Sequence, residues 1–261
     1  MDLTDVPLVI SGMVSSSIGM DEVPYADLPF ALNGRGASVR RFDAQPDFPH
    51  DILLIAGVRS QQDVMRGEET QLIGVSALLD QANERIRRAI FVFPGTHSKH
   101  MTIEGGYLIH FDTYMTGEVF DLMAKQSILH DSVEVADLTS RLAEDSGAFR
   151  RGVRQATAGP VLNRLFTVRT NELFGQLTKP QNALYLSGLL VGSELAHLQN
   201  KPDWPIVLGS GSNLSGFYEL AIDELHLSAR TQIVPPDLID RAASAGQLQV
   251  YRHQAVNQIT E

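Results

Sequence analysis

Two segments of this 261-residue chain carry residue types that can move a phosphoryl group. Met65-Arg-Gly-Glu-Glu-Thr-Gln71 sets an arginine and two carboxylates, Glu68 and Glu69, immediately ahead of an apolar-periodic run. Phe91-Val-Phe-Pro-Gly-Thr-His-Ser-Lys99 is an apolar strand that breaks at Pro94-Gly95 into small and hydroxyl residues and then resumes. Transfer of a γ-phosphoryl group to an alcohol needs a carboxylate that orients the hydroxyl and accepts its proton. It also needs a turn whose backbone N–H groups and hydroxyl converge on phosphate oxygens with no bulky side chain in the way. Gly95 and Thr96 suit that turn, with Lys99 as a counter-charge, and Arg66 suits a substrate carboxylate or the transferring phosphate. A general base and an anion pocket side by side point to phosphoryl transfer. Each segment also has a plainer reading, a Gly-Thr β-turn with a solvated lysine and a pair of acids that complement a helix dipole. Both readings hold together if one glutamate caps the helix and the other faces a cleft.

Gly209-Ser-Gly-Ser-Asn213 lies between a strand and a helix, where open α/β sheets bind nucleotides. Gly209, Ser210, Gly211 and Ser212 offer a shelf for an adenosine moiety, or else an ordinary tight turn into the helix. The segment is not a Gly-x-Gly-x-x-Gly fingerprint, since the third glycine is Gly216, and no Gly-x-x-x-x-Gly-Lys-Ser/Thr loop occurs. A dinucleotide-dependent oxidoreductase is therefore disfavoured, and the lack of a Gly-x-Ser-x-Gly elbow disfavours an α/β-hydrolase. His97 and His100 sit on a turn with no Glu in zincin register, so no metal ligand is assigned.

Composition narrows the class further. A 43% hydrophobic, 20% charged chain of this length supports one large or two small cores. The net charge is -10, and basic residues cluster only in pairs such as Arg40-Arg41, Arg87-Arg88 and Arg150-Arg151, which lacks the footprint of a nucleic-acid binder. A small-molecule substrate is the expectation. With no cysteine there is no disulfide, thiolate catalysis or cysteine-based metal site, and a cytoplasmic location is expected. Met1-Asp-Leu-Thr-Asp5 has no signal-peptide character, and the uncharged stretches Pro180–Ser193 and Trp204–Tyr218 are too short to span ~30 Å of hydrocarbon.

The elements that must position these residues alternate between strands and helices. Val6–Ile10 and Ile52–Gly57 read as buried strands, the first followed by the small-residue loop Ser11–Gly19. From Glu68 the spacing of Leu72, Val75 and Leu79 predicts a helix whose basic end is Asn83-Glu-Arg-Ile-Arg-Arg88. Ile90 to Phe111 reads as an antiparallel unit turning at Gly105-Gly106. Met115–Glu118 opens a further helix, and a long helical region is expected from Ser132 to Leu165. Helix Ala183–Leu198 carries Ser187, Gly188 and Gly192, small enough for close approach of a neighbouring backbone. Trp204–Leu208 is a strand running into the glycine loop and the helix Leu214–Leu225, and Thr231–Val234 followed by Pro235-Pro236 repeats that pattern.

Taken together the segments resemble one family, the 2-dehydro-3-deoxygalactonokinases of the actin-like and sugar-kinase superfamily. The resemblance rests on Ser11–Gly19 with Pro24-Tyr25, Val64-Met-Arg-Gly-Glu-Glu-Thr-Gln-Leu-Ile-Gly74, Phe93-Pro-Gly-Thr-His-Ser-Lys99, Tyr114-Met-Thr-Gly-Glu118, Leu186–Gly192 and Gly209–Asn213. It implies an α/β fold of two ribonuclease-H-like domains with an interdomain cleft, residues 1–66 being the remainder of the N-terminal domain and 67–261 the C-terminal domain with a helical insertion. It implies ATP- and Mg²⁺-dependent phosphorylation of 2-dehydro-3-deoxy-D-galactonate at its terminal hydroxyl in galactonate catabolism. Gly95 and Thr96 would be the second phosphate loop, Gly209–Ser212 the adenosine loop, and Glu68 or Glu69 the equivalent of the related kinases' catalytic aspartate.

The resemblance also implies a first phosphate loop, an Asp-x-Gly-Ser/Thr hairpin whose aspartate helps hold Mg²⁺, ahead of everything that matches here. The only Asp-x-Gly, Asp145-Ser-Gly147, has no buried strand before it. The expectation is an incomplete N-terminal domain, short by ~50 residues, with reduced activity and exposed strand edges that favour association. The alternative is a catalytically impaired remnant that binds a sugar acid or a nucleotide.

Overall fold

The computed structural model describes residues 6–82 and 84–259; the readings drawn from Met1–Asp5 and from Asn83 lie outside the described residues. The strands, in chain order, are β1 (Leu8–Ile10), β2 (Ala26–Asp27), β3 (Phe30–Ala31), β4 (Val39–Phe42), β5 (Ile52–Ile55), β6 (Val58–Arg59), β7 (Val64–Met65), β8 (Arg88–Phe93), β9 (Ser98–Glu104), β10 (Tyr107–Tyr114), β11 (Ile206–Leu208) and β12 (Thr231–Ile233). The helices are α1 (Glu68–Gln81), α2 (Thr116–Gln126), α3 (Leu138–Glu144), α4 (Gly147–Thr157), α5 (Val161–Leu173), α6 (Lys179–Leu195), α7 (Ser212–Glu224) and α8 (Pro236–Ile259). This mixed α/β chain forms two compact units. One comprises the chain through Phe91, then His100–Thr113, then the chain from Val234; the other comprises Val92–Lys99 and Tyr114–Ile233. The division expected between residues 66 and 67 falls inside the first unit.

In the first unit β5 runs parallel to β1, Val9 opposite Leu53, and antiparallel to β4, Arg40 opposite Leu54. Lying between two neighbours, Ile52-Leu-Leu-Ile55 is apolar at every position, with Leu53, Leu54 and Ile55 buried. β1 was expected to be buried; it is an edge strand with β5 on one side only, and Leu8 is exposed. A small sheet orders β2, β6 and β7, and a meander of β8, β9 and β10 carries β3 on its edge, Tyr107 opposite Ala31. The β9–β10 hairpin turns at Gly105 and Gly106 as expected, with φ of 62° and 86°, the left-handed pair a tight hairpin needs.

α1 and α8 meet backbone to backbone. A Cβ on Gly74 would lie 1.7 Å from the Ala242 carbonyl oxygen, and one on Gly246 would lie 1.9 Å from that of Thr70. The basic cluster does not close α1. The helix stops at Gln81 with no basic residue in its last turn, and Arg88 already belongs to β8, whose Ala89–Phe93 are all buried. Sheet burial of that apolar run sets where the strand must begin, leaving Arg85 and Arg87 to the connection.

In the second unit β11 and β12 are parallel, Val207 opposite Gln232, and the Gly209 N–H donates to the Val92 carbonyl at 2.9 Å, extending β11 along the end of β8. The helical region expected as one stretch is divided into α3, α4 and α5. Asp145 Oδ1 accepts the Gly147 N–H at 2.9 Å where α4 starts, and Pro160, which cannot sit inside a helix, precedes α5. α6 opens with a reciprocal Thr178–Gln181 capping box and Pro180 in its first turn. Gly188 and Gly192 share one face and press on α4: a Cβ on Gly188 would lie 2.0 Å from the Phe149 carbonyl oxygen, and one on Gly152 of α4 2.2 Å from that of Tyr185. Of the small residues expected to permit a close approach, Gly188 and Gly192 do so, while Ser187 lines a cavity. No helix among the described residues is long and apolar enough to cross a membrane.

Candidate active site

Each unit holds one group of the residues singled out above. In the first, Gly67 precedes α1 at φ 113°, a conformation reserved for glycine, and a Cβ there would lie 3.3 Å from the Gly12 Cα. The Arg66–Gly67 turn thus packs on the Ser11–Ser16 loop. Both glutamates fold back onto the backbone ahead of the helix, Glu68 Oε2 accepting the Arg66 N–H at 3.1 Å and Glu69 Oε2 the Gly67 N–H at 2.7 Å. Their surroundings differ. Glu69 is buried, and Thr70 Oγ1 donates to its Oε1 at 2.8 Å. Burial outweighs the hydrogen bonds from Thr70 and Gly67, and the nearby Glu68 charge adds to it, so the Glu69 carboxyl is pushed up to about 7. Glu68 is only half-buried.

Arg66 is an organiser of the same corner. Its Nη1 donates to the Ser15 carbonyl oxygen and, at 2.7 Å, to Ser15 Oγ, and its guanidinium carbon lies 4.2 Å from the centroid of the Tyr25 ring. Its Nε is buried with no hydrogen-bond partner. Ser15 and Ser16 in turn donate their hydroxyls to the carbonyls of Gly12 and Met13, which stiffens the loop that Arg66 grips.

In the second unit the Gly95–Thr96 turn lies on a cavity of about 540 Å³. The start of α2 is pressed beneath it: a Cβ on Gly117 would lie 2.7 Å from the Gly95 carbonyl oxygen, and the Glu118 N–H donates to the Thr96 carbonyl at 3.1 Å. Thr96, Thr116, Glu118, Asp121, Asn213 and Tyr218 supply polar groups, whereas Leu138, Leu190, Leu214 and Phe217 supply an apolar wall. The two acids are paired, Glu118 Oε2 with His97 Nε2 at 2.5 Å and Asp121 Oδ1 with Lys125 Nζ at 2.5 Å. A hollow of about 440 Å³ lies alongside, lined by Ser212, Asn213, Arg150 and Asp223 among others. An apolar wall with a few convergent polar groups is the usual build of a ligand site.

The remaining expected residues are placed differently. Lys99 is buried, its Nζ 3.5 Å from the His97 carbonyl oxygen, and it does not line the cavity. The Gly95 N–H is taken by Ser98 Oγ at 3.3 Å rather than left pointing outward. Gly209, Ser210 and Gly211 line neither cavity: the Gly209 N–H serves the sheet, Ser210 is buried, and Gly211 is the residue before α7. Of that loop, Ser212 lines the smaller of these two hollows, and its neighbour Asn213 lines both. Thr116, Gly117, Glu118 and Asn213 went without a role in the sequence reading, although the blocks Tyr114–Glu118 and Gly209–Asn213 contained them. Among the described residues no three His, Asp or Glu side chains gather as a metal site.

Two carboxylates beside a loop-gripping arginine, and a Gly-Thr turn over a ligand-sized cavity, are residue types that phosphoryl transfer to a small molecule can use. The family described as 2-keto-3-deoxy-galactonokinase matches residues 1–250. The chain is 34% identical over 234 residues to the "Probable 2-dehydro-3-deoxygalactonokinase DgoK1" of Rhizobium meliloti (strain 1021), covering 86% of this chain and 72% of that protein. It is 30% identical over 226 residues to the 2-dehydro-3-deoxygalactonokinase of Escherichia coli (strain K12), covering 84% and 71%. The crystal structure of a "putative 2-dehydro-3-deoxygalactonokinase protein" from Sinorhizobium meliloti superposes with a TM-score of 0.77 at 30% identity, covering 95% of this chain and 78% of that one. The chain belongs to the 2-keto-3-deoxy-galactonokinase family.

Proposed function

We propose that this protein transfers the γ-phosphoryl group of ATP to the terminal hydroxyl of 2-dehydro-3-deoxy-D-galactonate, giving 2-dehydro-3-deoxy-6-phospho-D-galactonate and ADP in cytoplasmic galactonate catabolism, on a pair of ribonuclease-H-like domains. The observation that carries the reading is the Gly95–Thr96 turn, braced by Gly117 and opening onto a cavity with polar groups at the turn and an apolar wall. Phosphate oxygens suit the Thr96 hydroxyl and the turn's backbone; the nucleoside suits the apolar wall with Asn213 and Ser212. Gly209–Gly211 act through the placing of α7.

Between the two glutamates, Glu68 is the base. It is half-buried and accepts the hydroxyl proton as the O–P bond forms, while the buried Glu69 holds its own proton near neutrality. Arg66, held in place by Ser15 and the Tyr25 ring, contributes its positive charge toward the sugar-acid carboxylate. Mg²⁺ belongs to the reaction of this superfamily, but the described residues gather no donor cluster for it, so no protein ligand is assigned and no step is drawn through it. A coupled ADP-release assay with ATP, Mg²⁺ and the sugar acid tests the reading. Turnover that depends on the sugar acid and disappears in Glu68→Gln is expected; nucleotide binding without turnover would replace the reading with that of a binding remnant.

A further inference from the structure

Behind the Gly95–Thr96 turn a connected set of buried polar groups runs inward from the cavity wall, where Thr116 and Tyr218 lie, to Glu194. Ser98, Tyr218 and Glu194 are buried, with exposures of 0%, 2% and 3%. Ser98 Oγ lies 3.3 Å from the Gly95 nitrogen and 3.0 Å from Tyr218 Oη, and Tyr218 Oη lies 2.8 Å from Glu194 Oε2. Thr116 Oγ1 also bonds Glu194 Oε2. All of these residues belong to the second unit.

The direction of every bond follows from what each group can do. A carboxylate only accepts, so the tyrosine's single proton goes to Glu194. Tyr218 must then accept from the Ser98 hydroxyl, and Ser98, its proton spent, accepts the Gly95 N–H. Burial, with the Glu194 charge beside it, pushes the Tyr218 phenol well above its ordinary value, so that proton stays in place. The result is a one-way chain, Gly95 N–H to Ser98 to Tyr218 to Glu194, in which each bond polarises the next. Glu194 draws in a second segment as well, because Thr116 opens α2 immediately before the Gly117 that supports the turn.

We propose that Glu194 is the shared anchor of the cavity's rim, a positioning residue that fixes the Gly95–Thr96 turn through Tyr218 and Ser98 and the start of α2 through Thr116, so that the turn is pre-set for nucleotide phosphates. This rests on the kinase reading for the identity of the ligand and on the hydrogen-bond chain for the positioning. Glu194 of α6 is met directly by Thr116 of α2 and Tyr218 of α7, and through Tyr218 by Ser98 of β9; a buried carboxylate is costly to desolvate unless it is met by such donors. Preorganisation of such a loop lowers the cost of ordering it when the ligand arrives.

Tyr218→Phe keeps the ring and deletes the hydroxyl; Ser98→Ala breaks the same chain one step nearer the turn. The intact protein and both variants are compared by hydrogen exchange across the whole chain, including the peptides covering residues 94–98 and the start of α2, by calorimetric titration with ATP, and by the ADP-release assay. Expected in each variant are faster exchange confined to residues 94–98 and the start of α2, ATP binding weakened about tenfold, and an unchanged KM for the sugar acid. The double variant should be no weaker than the worse single one, because both changes break one chain. Unaltered exchange and ATP affinity in Tyr218→Phe, or fully additive losses in the double variant, would overturn the proposal. So would exchange that rises throughout the unit together with the sugar-acid KM, which marks general loosening. An unmodified protein that binds ATP without turning over removes the kinase reading while the exchange and titration still decide the positioning role; one that binds no ATP removes both.

Discussion

Glu69 gives the sharpest quantitative expectation. Its carboxyl titrates near 7 in the folded chain against an ordinary 4.5, because it is buried. Below about 4.5 both folded and unfolded chains hold the proton and burial costs no ionisation. Between about 4.5 and 7 the unfolded chain has released the proton and the folded chain has not, so stability falls by ~1.4 kcal/mol per pH unit. Above 7 the folded chain carries a buried carboxylate, at a cumulative cost of about 3 kcal/mol. Glu69→Gln removes the titration and keeps the shape: the amide oxygen accepts the Gly67 N–H, and the amide nitrogen donates to Thr70 Oγ1 in place of the bond now at 2.8 Å. Urea unfolding of both proteins at pH 5 and pH 8 reads the difference directly. The variant should gain about 2 to 3 kcal/mol on the unmodified protein between those two values, and it should keep sugar-acid-dependent ADP release because Glu68 is untouched. A stability gap that stays constant from pH 5 to pH 8, or that closes as pH rises, would refute the argument that burial governs this carboxyl. Loss of turnover in a folded Glu69→Gln would move the base assignment from Glu68 to Glu69.

Other expectations follow from single contacts. Glu68→Gln should lower kcat by a factor of about 10² or more with melting within a few degrees of the unmodified protein, since only the proton-accepting group is changed. Gly117→Ala drives a methyl to 2.7 Å from the Gly95 carbonyl oxygen; it should destabilise by about 1–3 kcal/mol and weaken ATP binding more than sugar-acid binding, measurable by calorimetry. Gly74→Ala places a methyl 1.7 Å from the Ala242 carbonyl oxygen, and with backbone on both sides of the contact it should cost about 3 kcal/mol or more in chemical unfolding. Arg66→Lys keeps the charge but loses the planar stack on Tyr25 and the paired bonds to Ser15, so a raised KM for the sugar acid, with nucleotide affinity intact, is the expected kinetic signature.

The elements that sequence spacing foretold are those whose cause is local. Leu72, Val75 and Leu79 mark α1; Gly105-Gly106 can only be a tight reversal between two β-rich runs; Pro235-Pro236 leads into α8, whose first residue is Pro236. Where spacing misled, a longer-range demand had decided. The basic run after residue 82 looked like a helix end, but burial of Ala89–Phe93 in the sheet takes Arg88 into a strand. Lys99 looked like a phosphate ligand because it follows a Gly-Thr turn. The start of β9 is covered on both faces, Ser98, Lys99, His100 and Met101 all being buried, so Lys99 is enclosed along with its neighbours.

Residue types and their order along the chain determined the chemistry on offer: adjacent carboxylates after an arginine, a glycine-threonine break between two strands, and blocks specific enough to identify the family. Those properties are one-dimensional and survive in the sequence intact. Which glutamate keeps its proton was not among them, because Glu68 and Glu69 are neighbours with the same intrinsic chemistry, and only burial separates them. Nor was the part played by Thr116, Gly117, Tyr218 and Glu194. They are scattered over about a hundred residues and acquire meaning only when α2, α6 and α7 bring them behind the Gly95–Thr96 turn. Desolvation and hydrogen-bond satisfaction are properties of what surrounds a group, and those surroundings come from packing.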